Sequence, residues 1–148
     1  MRVLFVCTGN TCRSPMAEAL LNREIQTEHK DGWMALSAGL MPGVGAPAAE
    51  QAQTVMQQRG VNLQDHRARR LAEAYVQAAD WVVVMTGAMK DMVRKMYPEE
   101  EDKVLTLSEW AGETGDISDP FGGTLAEYKF CASEIERKIL QALKHMEK

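Results

Sequence analysis

The stretch RVLFVCTGNTCRSPMAEALL, residues 2–21, constrains the fold more than any other. Its first five residues are almost uniformly apolar and partly β-branched, a Gly/Asn/Thr/Ser loop follows from Cys7, and Ala17, Leu20, Leu21 and Ile25 then recur at helical spacing. A short run that is apolar at successive positions predicts a strand buried on both faces. Pro15 suits the first helical position, and Ser14 before it is the predicted cap. The unit reads as strand, polar loop, helix.

The pattern returns along the chain. MALSAG (34–39) reads as a second strand, closed by the Gly/Pro-punctuated loop LMPGVGAP (40–47). Helices are expected over 47–59, ending at Gly60, and over 71–79. DWVVVMT (80–86) is the clearest buried strand, with a helix to about Met96. YPEEED (97–102) carries like charges and reads as a solvent loop. KVLTL (103–107) is a fourth strand, and a last helix is expected over about 124–146, with Tyr128, Cys131, Ile135, Ile139, Ala142, Leu143 and Met146 on one side. Four short apolar strands alternating with helices predict a single α/β domain over residues 1–148. Its expected form is three layers, a four-stranded parallel sheet with helices on both faces. In such sheets ligands bind beyond the carboxyl ends of the strands, where the strand order reverses. The Cys7–Ser14 loop falls at that edge.

Composition excludes several classes. Charged residues make up 26% and the net charge is −4, so no basic stripe points to nucleic acid. No apolar run reaches the ~20 residues of a membrane span, and the N-terminal run meets Thr-Gly-Asn instead of a cleavage site. Three cysteines without a signal sequence suggest a cytoplasmic, thiol-reducing setting in which each needs chemistry or burial to explain it. Arg67, Arg69 and Arg70 read as a solvated basic cluster. Trp33, Trp81 and Trp110 read as packing residues, and no metal or organic cofactor is implied.

The first loop carries the chemistry. Cys7 and Arg13 are separated by five residues, enough to wrap a tetrahedral oxyanion with the backbone N–H groups of Thr8, Gly9, Asn10, Thr11, Cys12 and Arg13. The following helix adds its positive end, and Arg13 a planar fork for two oxygens. Gly9 and Asn10 tolerate the positive φ that a tight nest requires. Cationic groups and helix N-termini favour thiolate over thiol, so a sulfur at the base of this nest is aimed as a nucleophile at phosphorus. Ser14 is placed to donate a hydrogen bond to it. The spacing of Cys7 and Cys12 fits neither a zinc site, which lacks a second Cys/His pair, nor a Cys-x-x-Cys redox pair; a Walker loop fails for want of Gly-Lys-Ser/Thr. Phosphoryl transfer also needs an acid for the leaving group. DISDPFGG (116–123) offers Asp119, held extended by Pro120.

These two motifs together resemble the low-molecular-weight protein tyrosine phosphatase family, with SAG (37–39), DHRAR (65–69) and ADWVVVMT (79–86) in the same order. The resemblance implies a two-step reaction through a phosphocysteine. Cys7 would be the nucleophile, Arg13 the phosphate clamp, and Asp119 general acid and then base. Asn10 would brace the loop, Ser14 steady the thiolate, and Ser37 and His66 support from behind. It also makes a reversible Cys7–Cys12 disulfide under peroxide plausible. Tyrosine-directed members usually carry an aliphatic residue where Thr11 stands and adjacent tyrosines where Phe121 is followed by Gly122 and Gly123. In both respects the chain is similar to the bacterial protein-arginine phosphatase branch, with Phe121 free to stack on a guanidinium plane. The expected substrates are phosphoproteins, the product phosphate, and the enzyme a monomer. Phosphotyrosine hydrolysis stands as the alternative. Arsenate reduction lacks its relay cysteine in WVVVMTGAMK (81–90), and a non-catalytic phosphate-binding module would not need both Cys7 and Asp119.

Overall fold

The computed structural model describes residues 1–146 of the chain. Its centre is a four-stranded parallel sheet in the order β2-β1-β3-β4, formed by β1 (Arg2–Cys7), β2 (Met34–Gly39), β3 (Trp81–Val84) and β4 (Val104–Thr106). β1 pairs with β2 from Arg2–Met34 to Cys7–Gly39 and with β3 from Val3–Trp81 to Val6–Val84. β3 also pairs with β4, so β1 and β3 are the interior strands, and β1 is the one that ends at Cys7. Val3 to Cys7 are all buried, as the unbroken apolar run predicts.

The chain steps from β1 outward to β2 and then returns across β1 to β3 and β4, so strand order reverses at β1. The connections carry α1 (Arg13–Thr27), α2 (Glu50–Gln58), α3 (Glu73–Ala78) and α4 (Gly87–Met96). Because α1 and α4 cross in opposite directions, right-handed connections put them on opposite faces. A short α5 (Leu107–Trp110) and the long α6 (Leu125–Met146) complete the helices, and α6 packs on α1, α2 and α5. The core runs from Phe5, Met16, Leu20 and Leu21 through Val82–Val84 to Ile135 and Ile139.

Four expectations change. Ser14 does not cap α1: the helix begins at Arg13, Cys12 occupies the cap position without a side-chain cap bond, and Ser14 turns inward. The second helix starts at Glu50, because Pro47 is held in an antiparallel bridge with Arg67. The acidic 98–103 segment is a 3₁₀ turn with Pro98 at its start, exposed as expected. The β4 run stops early because Thr106 caps α5, its side chain accepting from the Glu109 N–H while Glu109 accepts from the Thr106 N–H.

Candidate active site

The loop between β1 and α1 forms the floor of a cleft of about 210 Å³ lined by Cys7, Thr8, Gly9, Thr11, Cys12, Arg13, Asp119 and Phe121. Eight residues from two segments over a hundred positions apart thus meet at the reversal point of the sheet. Among the described residues the amides of Gly9 to Cys12 donate no hydrogen bond to the protein. They remain as donors for an anion at the head of α1.

Asn10 holds this loop in shape. It is wholly buried and lies at φ 55°, in the left-handed region that Asn tolerates better than most residues. Its amide nitrogen donates to Ser14 Oγ at 2.8 Å and Ser37 Oγ at 3.0 Å, and its Oδ1 accepts from the Arg69 N–H at 3.0 Å. Its carbonyl oxygen lies 2.7 Å from His66 Nε2. A carbonyl can only accept, so that imidazole carries its proton on Nε2. The same logic orients Ser14. Its oxygen accepts from Asn10, leaving its own hydroxyl proton for Cys7 Sγ, 2.8 Å away. Asn10, Ser14, Ser37 and His66, spread over more than a third of the sequence, are thus one hydrogen-bonded unit.

Arg13 is 4% exposed, and its NH1 donates to the Ile117 carbonyl at 2.8 Å. Its NH2 lies 3.5 Å from Asp119 Oδ2. Its buried Nε has no hydrogen-bond partner among the described residues, a donor left over beside the anion nest. Asp119 is itself about half exposed and accepts from the Phe121 N–H at 3.1 Å. Phe121 stands 73% exposed at the rim. The turn that carries it is tight: the Gly123 N–H donates to the Pro120 carbonyl at 2.7 Å. Gly122 has φ 78°, and a Cβ on Gly123 would meet that carbonyl at 2.8 Å. The positive φ at 122 and the close carbonyl at 123 disfavour a second aromatic directly after Phe121.

Sequence reasoning missed several participants. Cys12 Sγ sits 3.2 Å from the Tyr128 hydroxyl on α6, and burial pushes the Cys12 thiol up. A tyrosine on an apolar helical stripe is a signal for this, since a buried hydroxyl needs a partner. Glu18 on α1 lies behind the brace. Burial pushes its carboxyl up, opposed by Ser37, His66 and Arg69. The Ile117 carbonyl could not be read from residue type at all. Cys131 is core, as its stripe predicts: it is 4% exposed and burial pushes its thiol up to about 12. Arg69 stacks over Tyr75, while Arg67 ties Gln64 and His66 carbonyls, so this part of the basic cluster secures the chain behind the loop.

The pattern of the low molecular weight phosphotyrosine protein phosphatases matches residues 2–148. The chain belongs to that family. It is 40% identical over 139 residues to a protein-arginine-phosphatase of Geobacillus stearothermophilus, covering 93% of this chain and 90% of that one. Among solved structures it is similar to a low molecular weight protein tyrosine phosphatase from T. tengcongensis, with TM-score 0.95 and 42% identity over 98% of this chain and 99% of that one. It is equally similar in shape to a mutant of the arginine phosphatase YwlE with a phosphorylated active site serine. There the TM-score is 0.95 and the identity 36%, over 100% of this chain and 97% of that one.

Proposed function

We propose that the chain, as one phosphatase domain, hydrolyses phosphoarginine on proteins through a phosphocysteine. The observation that carries the choice of arginine is the cleft wall. Thr11 supplies a hydroxyl where an aliphatic group would suit a phenyl ring, and the Phe121-Gly122-Gly123 turn leaves one aromatic wall instead of two. The relatives named as arginine phosphatases support the same reading.

In the first step Cys7 Sγ attacks phosphorus, the S–P bond forms and the N–P bond breaks. The electron pair stays on the guanidino nitrogen, which takes a proton from the Asp119 carboxyl. Arg13 and the amides of the loop hold the equatorial oxygens, where charge is greatest as phosphoryl passes between the two partners. In the second step the Asp119 carboxylate takes a proton from water. The water oxygen bonds to phosphorus, the S–P bond breaks, and its pair returns to Cys7, which the Ser14 hydroxyl stabilises. Phosphate leaves with no cofactor consumed. Asn10 positions the loop, and Ser37 and His66 position Asn10.

The experiment is kcat/KM on matched phosphoarginine and phosphotyrosine peptides, repeated with Thr11→Ile. Phosphoarginine is expected to be preferred, and Thr11→Ile to shift the ratio towards phosphotyrosine by roughly tenfold or more. A phosphotyrosine preference that Thr11→Ile leaves unchanged overturns the assignment in favour of a tyrosine phosphatase. The reading extends to a monomer working in the cytoplasm, which suits three free cysteines. It also makes Cys12 the partner that captures a peroxide-oxidised Cys7 as a disulfide; peptide mapping that finds only sulfinic Cys7 would count against that role.

A further inference from the structure

Of the three phenylalanines, Phe5 is buried in the sheet, while Phe121 and Phe130 are 73% and 71% exposed. The two exposed rings line different clefts, and both clefts are bounded by Asp119. Phe121 edges the reaction cleft. Phe130 edges a second hollow of about 300 Å³ between the start of α6 and the 118–120 segment. Its helical wall follows from spacing: Ala126, Phe130 and Glu134 stand four apart on one stripe of α6, with Cys131 buried beside them. The floor is apolar, from Pro120, Ala126 and Cys131, and Glu127 and Glu134 place two carboxylates at its edges.

Phe130 contributes nothing to the core, whose α6 face is already supplied by Tyr128, Ala132, Ile135 and Ile139. An exposed aromatic over an apolar hollow with an acidic rim has the composition of a recognition site: an anchor pocket with charge at its margin. Its position says what it would recognise. Along an extended peptide, two residues span about 7 Å. The shared Asp119 wall sets the hollow beside the reaction cleft, within the range over which residues flanking a phosphorylated residue would pass.

We propose that this hollow is a second substrate subsite, taking a large apolar side chain near the phosphorylated residue of the same protein. Glu127 and Glu134 favour a lysine or arginine next to that side chain. The inference rests on the chain being a protein phosphatase, and not on the choice of arginine over tyrosine. It gives the enzyme a means to read the neighbourhood of a phosphoresidue that a phosphate nest alone lacks.

The test uses peptide pairs differing only in Phe or Gly at each of the two positions on either side of the phosphoresidue, prepared with phosphoarginine and with phosphotyrosine. The wild-type protein is expected to favour Phe at one of these positions by roughly tenfold in kcat/KM, mainly through KM. Phe130→Ala should bring that ratio close to one, and Phe130→Leu should restore most of it. Glu134→Gln should remove a preference for a neighbouring lysine, with its salt dependence. A wild-type ratio near one at all four positions, or a ratio unaltered by Phe130→Ala, overturns the subsite. If only the phosphotyrosine peptides are hydrolysed but the Phe130-dependent ratio is present, the subsite stands and the arginine assignment falls.

Discussion

The two halves of the site are built in opposite ways. The phosphate loop hangs on buried residues and is over-determined: Asn10 alone makes four hydrogen bonds, to Ser14, Ser37, Arg69 and His66. Asp119 and Phe121 are exposed and lightly held, with one bond from the Phe121 N–H, one turn closed by Gly123 and a 3.5 Å approach to Arg13. The contrast follows from what each half must meet. A phosphoryl group has the same shape on every substrate, so its donors gain from being fixed in advance. Leaving groups and flanking residues differ, and in the proposed function the exposed half is where the chain would distinguish them.

The comparison can be broken from either side. The largest effect is expected for Cys7→Ser, which should lower kcat on para-nitrophenyl phosphate by on the order of 10⁴-fold or more. Two equally inactive proteins that still bind phosphate would leave only a binding module. Next comes Asp119→Asn, expected to cost about 10²–10⁴-fold on phosphoarginine peptides. The loss should be smaller on para-nitrophenyl phosphate, whose leaving group needs less protonation. A uniform loss would assign Asp119 to holding Arg13 rather than to proton transfer.

Stability should divide the halves differently. Asn10→Ala leaves buried partners unpaired and puts alanine at φ 55°, at a cost of at least about 3 kcal/mol. At about 2–4 °C per kcal/mol, Tm should fall by roughly 6–12 °C. Phe121→Ala, on the exposed half, should stay within about 0.5 kcal/mol of the parent in denaturant unfolding while weakening substrate binding. Comparable losses in both variants would erase the distinction. The last effect is confined to alkaline pH. Burial holds the Cys131 thiol at about 12 against an ordinary 9.0. The unfolded chain therefore releases this proton first, and stability should decline as pH rises from about 9 towards 12. Cys131→Ala should flatten that part of the urea-midpoint profile against pH.

Much of this was legible before any coordinates. The apolar runs at 2–6, 34–39 and 80–86 located the strands because burial on both faces leaves few polar positions. Cys7, Arg13 and Ser14 were legible because they share one short loop whose length matches a tetrahedral anion. Asp119 was legible by residue type, and its family resemblance supplied its place opposite Arg13. Ser14 was misjudged as a helix cap. Its hydroxyl faces the sulfur, and only the packing of α1 over β1 reveals which neighbour it serves.

By itself the sequence determined a parallel α/β sheet with a cysteine at the end of its first strand and an anion nest at the head of a helix. Those are local matters of period, spacing and residue chemistry. The tertiary structure decided what is distant in the chain: His66 under Asn10, the Ile117 carbonyl on Arg13, Tyr128 on Cys12, and a second hollow behind Asp119. A hydrogen bond to a backbone carbonyl leaves no mark in residue type, and a cleft between a loop and a helix exists only once both have packed.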